Sequence, residues 1–151
     1  MDTTDLPGAL VGVLTSIQRL VRRRLRQGMT GPRLRGAQIE LLRLVAANPG
    51  IGVSAAAKEL YLAGNSVSTL VNQLTAAGLL RRETGHDDRR SARLLATAEA
   101  EVRLRDWEER RAALLREQVE RLSEEDLAVL IVALPALRRL AEGLHEELEM
   151  A

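Results

Sequence analysis

The 151 residues include no cysteine and no phenylalanine, and only one tryptophan and one tyrosine. Without thiols, the chain can form no disulfide, no thiolate nucleophile, no cysteine-based zinc site and no thiol redox sensor. Imidazole is limited to His86 and His145, far apart in the sequence, so neither a metal nor a cofactor is expected. No apolar run reaches the roughly 18 residues that a membrane-spanning helix needs. The stretch Met1–Pro7 carries two Asp and no basic residue, unlike a secretory leader. A soluble cytoplasmic protein is therefore expected. No nucleophile is paired with a base, and no glycine-rich phosphate loop is present, so an enzyme is not expected.

The apolar residues that are present, 46% of the chain, are almost all Leu, Ala and Val. Leu and Ala favour helix, which points to a mainly α fold. The net charge of +1 conceals an asymmetry: residues 1–96 hold 14 basic and 7 acidic residues, and the remainder holds 8 basic and 14 acidic. One part is suited to meet a polyanion and the other is not. All basic residues but Lys58 are Arg.

Apolar spacing predicts a first helix from about Leu6 or Pro7 to Arg26, with Leu10, Leu14, Ile17 and Val21 as its stripe. After the break at Gly28–Pro32, a second helix spans Arg35 to Ala47 and stops at the turn Asn48-Pro49-Gly50, beyond which Ile51 to Val53 is a short extended piece. Ser54 can cap a short third helix, Ala55 to Tyr61, and Asn65 or Ser66 a fourth that ends near Gly78. Leu79–Arg82 and Ala92–Ala96 read as a hairpin around the polar stretch Thr84–Ser91. Two long helices follow, Thr97 to Leu122 and one that starts at Ser123, with Pro135 expected to kink the latter. The order is four helices, a β-hairpin and two helices.

The segment Ala56–Leu70 has helix-turn-helix spacing, with Ala56, Leu60, Leu62, Val67 and Leu70 where such a pair buries residues. The second of its helices can enter the major groove and would expose Asn65, Ser66, Ser68, Thr69, Asn72 and Gln73. None of the six is charged; their amides can read adenine edges, and their hydroxyls can contact bases or phosphates. In the hairpin, Arg81, Arg82, Arg89, Arg90 and Arg93 surround a tight loop with His86, Asp87 and Asp88. Arginine at such a wing tip suits the narrow minor groove of A·T-rich DNA, and Asp88 can hold a neighbouring Arg extended. His86 in the wing either reaches a phosphate or is idle, and the sequence does not separate the two.

The runs Val53-Ser54-Ala55-Ala56-Ala57-Lys58-Glu59-Leu60, Asn65-Ser66-Val67-Ser68-Thr69-Leu70-Val71 and Gly78-Leu79-Leu80-Arg81-Arg82 resemble the MarR (multiple antibiotic resistance regulator) family of winged-helix repressors. The resemblance is strongest at Asp87-Asp88-Arg89-Arg90, the wing signature, and extends to Leu34 and Gln38. Three positions depart from the family pattern: Arg35 stands where a Thr cap is usual, Tyr61 where a small turn residue is usual, and Ala100 where a Gly is usual. The resemblance implies a winged helix-turn-helix fold in a twofold dimer whose first, fifth and sixth helices interlock. Residues 33–97 would form the DNA-binding domain, and residues 1–32 and 98–151 the helical dimerisation region. It implies a repressor on a pseudo-palindromic duplex, released by a small aromatic or phenolic effector that Tyr61 and Trp107, the only aromatics, can stack on. Trp107 at helical spacing is by default a core residue. A second reading, a winged-helix module that binds protein and not DNA, rests on the uncharged recognition helix.

Overall fold

The computed structural model describes residues 3–29, 31, 33–84 and 92–150. Six helices and a small sheet follow one another as α1 (Leu6–Arg26), α2 (Gly36–Ala47), β1 (Ile51–Gly52), α3 (Val53–Glu59), α4 (Gly64–Ala76), β2 (Leu80–Thr84), β3 (Ala92–Ala96), α5 (Ala98–Val119) and α6 (Glu124–Met150). The three strands are antiparallel in the order β1-β3-β2. The winged helix-turn-helix architecture expected from the sequence is the one observed.

Turn chemistry sets most of the boundaries. Asn48-Pro49-Gly50-Ile51 closes with an Ile51 N–H to Asn48 carbonyl bond of 3.1 Å, and Gly50 has φ +88°. Proline at the second position and a positive φ at the third define a type II turn, which glycine fills without strain. This turn delivers Ile51 and Gly52 to β3, opposite Leu94 and Arg93. α3 and α4 end alike. The N–H two residues beyond the cap reaches back to the third-last carbonyl (Leu62 to Ala57, 3.0 Å; Leu79 to Leu74, 2.9 Å). The N–H before it pairs one carbonyl later (Tyr61 to Lys58, 3.2 Å; Gly78 to Thr75, 3.0 Å). This is the Schellman ending, and it requires a left-handed residue. Gly78 supplies it at φ +74°, but on α3 the residue is Tyr61 at φ +53°.

The side-chain caps differ from expectation. Ser54 and Asn65 lie one residue inside their helices; Gly52 and Ala63 occupy the cap positions without a side-chain bond. Thr97 does cap α5, accepting from the Ala100 N–H at 3.2 Å while donating to the Gly78 carbonyl at 2.8 Å. That second bond ties the end of α4 to the start of α5. Ser123 Oγ accepts from the Asp126 N–H at 3.1 Å ahead of α6, which continues through Pro135.

The core is closed by Leu41, Leu42, Val45, Ala56, Ala57, Val67, Val71, Leu74, Leu79, Leu80, Leu94 and Ala100. Ala56 and Ala57 let α3 approach α4 closely, where a larger side chain would hold them apart. With no Phe and Trp107 outside it, this core is aliphatic. Outside residues 33–100 the pattern reverses. α6 contains no buried residue, and Leu25 is the only one in α1. Of 21 exposed large hydrophobics among the described residues, all but Tyr61 and Leu62 lie on the terminal segments, among them Val129, Ile131 and Val132 at 66–78% exposure. Arg110 joins two of these helices, donating to the Gly28 carbonyl just beyond α1 at 2.8 Å while its Nε is held by Asp106 at 3.0 Å.

Candidate nucleic-acid interface

α4 buries Val67, Val71 and Leu74 and turns the opposite arc outward. At 3.6 residues per turn, Asn65, Ser66, Ser68, Thr69, Asn72 and Gln73 fall within an arc of about 160°. All six are exposed or half-exposed, so the structure brings the sequence-predicted recognition residues to one surface. Their hydrogen bonds are more particular than the sequence suggested. Asn65 Oδ1 accepts from the Ser66 N–H at 2.8 Å, and Thr69 Oγ1 donates to the Asn65 carbonyl at 3.0 Å. Asn72 Oδ1 accepts from Arg82 Nη2 at 2.7 Å, a bond from β2 to α4. Gln73 Oε1 accepts from Gln38 Nε2 at 2.9 Å, and Gln38 Oε1 in turn accepts from the Arg35 N–H at 2.8 Å.

Gln38 thereby supplies half of a capping box. It satisfies the backbone at the start of α2, where Arg35 makes no side-chain cap, and extends its amide to α4. Sequence reasoning placed Gln38 only as a helix-start residue. Its contact with Gln73, 35 positions away, is non-local and leaves no trace in spacing.

The wing is described only at its base. β2 and β3 pair from Leu80↔Ala96 to Thr84↔Ala92. Arg81 is held by Glu83 at 2.7 Å, both exposed, and Arg82 by Asn72. Of the expected wing residues, His86, Asp88, Arg89 and Arg90 lie outside the described residues, as does Asp87.

The two aromatics proposed to share a ligand site are not brought together. Trp107, half-buried, walls a cleft of about 410 Å³ between α1, α2 and α5 with Ile17, Val21, Ile39 and Leu104. Six Arg (22, 26, 33, 43, 103 and 111) also line it, with Glu40 as the one acid among them. Arg43 Nε is buried and makes no hydrogen bond among the described residues; the Glu108 carboxylate is 3.7 Å away. Tyr61 does not line this cleft. Its ring meets His145 of α6 edge-on, with centroids 6.0 Å apart, and its hydroxyl lies 3.2 Å from His145 Nδ1. His145 Nε2 is 3.4 Å from Glu149. Desolvation, and then the carboxylates of Glu149 and Glu59, push the Tyr61 phenol above 10.0, so it remains a neutral hydroxyl at neutral pH.

Among the described residues no helix is long and apolar enough to cross a membrane. No curated protein matches the chain. Residues 27–91 match the family model of the MarR family. Among solved structures, the chain is similar to Streptococcus pneumoniae FabT in complex with DNA, at 22% identity and a TM-score of 0.76, covering 95% of this chain and 99% of that one. It is similar to a MarR family protein from Bacillus stearothermophilus at 20% identity and a TM-score of 0.71, covering 94% and 99%. The PcaV transcriptional regulator from Streptomyces coelicolor, in complex with its natural ligand, matches at 22% identity and a TM-score of 0.64, covering 94% and 96%. Residues 27–91 thus match the MarR family model, and from α1 to α6 the chain shares its fold with FabT, with the MarR family protein from Bacillus stearothermophilus and with PcaV.

Proposed function

We propose that the chain is a dimeric transcriptional repressor that binds a pseudo-palindromic DNA duplex and is released by a small effector. The observation that carries this reading is the anchoring of the hydrogen-bonding arc of α4, by Arg82 from the wing strand and by Gln38 from α2. A recognition surface works only if its side chains are held in place, and both anchors do that. Residues 33–97 would be the reading head, with Arg89 and Arg90 at the wing and Arg81, Arg82 and His86 near the phosphates. The DNA in the FabT complex belongs to that protein, but the shared fold makes duplex DNA the first partner to test.

The dimer is proposed from the apolar surface of residues 1–32 and 98–151. The eleven residues Leu127–Leu137 are all apolar or Pro and so occupy every side of α6, yet none is buried. A helix apolar all round needs to be enclosed, and a second copy offers the matching surface through twofold symmetry. Two recognition helices would then lie about 34 Å apart, one turn of the duplex.

For the effector, the cleft beside Trp107 offers an apolar wall and a rim of six Arg against one acid, Glu40. That pairing suits a small aromatic or phenolic molecule carrying an acidic oxygen. PcaV holds its natural ligand within the same fold. The deciding experiment measures binding of parent and Arg89→Ala/Arg90→Ala to random-sequence duplex across a salt series. The parent should bind at low salt, and the double variant should bind more weakly with a shallower salt slope, since each phosphate contact adds about one to that slope. A parent that binds no duplex would leave the protein-binding module as the reading.

A further inference from the structure

We infer that the recognition helix presents its amides as hydrogen-bond donors, and that Gln73 in particular reads guanine, where its amide type alone would suggest adenine. The inference rests on the DNA-binding reading and specifies what its direct readout would be.

An amide side chain has one oxygen that accepts and one NH₂ that donates, and the two ends look alike in shape. Which end faces outward is decided by whichever partner can only donate or only accept. Three such partners fix the three amides of α4. The Ser66 backbone N–H can only donate, so Asn65 meets it with Oδ1. A guanidinium can only donate, so Asn72 meets Arg82 with Oδ1. The third case is a relay. The Arg35 backbone N–H claims Gln38 Oε1, which turns Gln38 Nε2 toward α4, and Gln73 must answer with Oε1. In each case the oxygen is taken and the NH₂ group is left; no described residue is set against it.

Adenine is read by an amide that uses both ends at once, accepting from N6 while donating to N7. A side chain whose oxygen is held at 2.7–2.9 Å by an anchor on a neighbouring element cannot turn both ends to the base. The remaining NH₂ suits an edge with two acceptors. In the major groove that edge is guanine, with O6 and N7, whereas cytosine presents only a donor there. The helix lacks the Arg or Lys that usually reads guanine, and the oriented amides supply donors in their place.

Gln38→Glu tests this with little change of shape. The carboxylate still accepts from the Arg35 N–H but cannot donate, so Gln73 would offer it Nε2 and turn Oε1 outward. Sequences bound by the full-length protein are selected from a random duplex pool for the parent, Gln73→Ala and Gln38→Glu. Gln73→Ala should flatten one position in each half-site, where the parent enriches guanine. At that position Gln38→Glu should favour adenine or cytosine over guanine by about tenfold relative to the parent, the scale of a lost base-specific bond. The added charge weakens binding to all sequences alike and so leaves the relative preference readable. Should Gln38→Glu fail to fold by circular dichroism, Arg82→Met frees Asn72 Oδ1 and should admit adenine at a second position. The inference is overturned if the Gln73-dependent position enriches adenine in the parent, if Gln73→Ala flattens no position, or if the freed amides leave the preference unchanged. A parent that selects no duplex overturns the DNA-binding reading itself, which is a different result.

Discussion

The two Schellman endings allow one energetic comparison to be isolated. At the end of α4 the left-handed position is Gly78, and at the end of α3 it is Tyr61, both held by the same pair of backbone bonds. A β-carbon in that conformation costs about 1–2 kcal/mol, which Gly78 avoids and Tyr61 bears. Tyr61 has compensation in its ring and hydroxyl contacts with His145, worth about 0.5–1.5 kcal/mol when such aromatic pairs are well formed. Tyr61→Ala removes those contacts and keeps the strain, whereas Tyr61→Gly removes both. The Gly variant should therefore be more stable than the Ala variant by about 1 kcal/mol, the reverse of the order in a helix interior, where Ala leads by about the same amount. Gly78→Ala is the mirror experiment. A β-carbon there would meet only Glu99 Oε2 at 3.8 Å, an ordinary contact, so the loss should be backbone strain alone, about 1–2 kcal/mol. Urea denaturation followed by circular dichroism, at one fixed protein concentration, measures all three. An Ala variant at position 61 as stable as the Gly variant would refute the left-handed ending of α3.

Other expectations follow from the same geometry. Leu94→Ala or Leu74→Ala, at fully buried positions, should lower stability by about 2–5 kcal/mol in the same denaturation assay. Val132→Asp, at a residue 78% exposed in the single chain, should leave the fold of residues 33–97 intact but shift the protein to monomer in analytical ultracentrifugation. Thr97→Ala breaks both the cap of α5 and the bond to the Gly78 carbonyl and should cost about 1–2 kcal/mol. The Tyr61 phenol, raised in the folded state, contributes stability that is complete below pH 10.0 and is lost as pH rises through its folded value. Absorbance titration should accordingly place its ionisation above that of the unfolded chain.

The element order was legible because the long helices carry 3.6-residue apolar stripes, the two short ones carry helix-turn-helix spacing, and the hairpin is bounded by turn residues. What escaped was short or distant. Ile51 to Val53 was readable as extended, but two residues are too few to show pairing, and β1 joins the sheet because the Pro49-Gly50 turn lays it against Leu94 and Arg93. The starts of α3 and α4 lie earlier than Ser54 and Asn65 suggested, since Gly52 and Ala63 take the extended cap conformation unaided. The six recognition residues were readable as a face, but not which end of each amide points outward. That depends on Gln38 and Arg82, brought in from other elements by the fold. The two aromatics were grouped by scarcity, and scarcity says nothing of proximity: Trp107 went to the cleft and Tyr61 to α6.

α5 is the element through which effector and DNA would be coupled. Its first turn is fixed to the end of the recognition helix by Thr97 and closed into the core at Ala100. Two turns further on, Leu104 and Trp107 wall the cleft, and beyond Leu115 its apolar residues are exposed. From Ala100 to Val119 the helix is about 29 Å long at 1.5 Å per residue. Were its far end held by a second copy, as proposed, a molecule that wedged the cleft and tilted α5 by about 5° would move the head by about 2.5 Å, since displacement scales with helix length. Hydrogen bonds to base edges tolerate only a few tenths of an ångström around 2.9 Å, so a tilt of that size suffices to release them. A large rearrangement is not required. The demand would fall on rigidity, and the Thr97–Gly78 bond would make the head follow the helix.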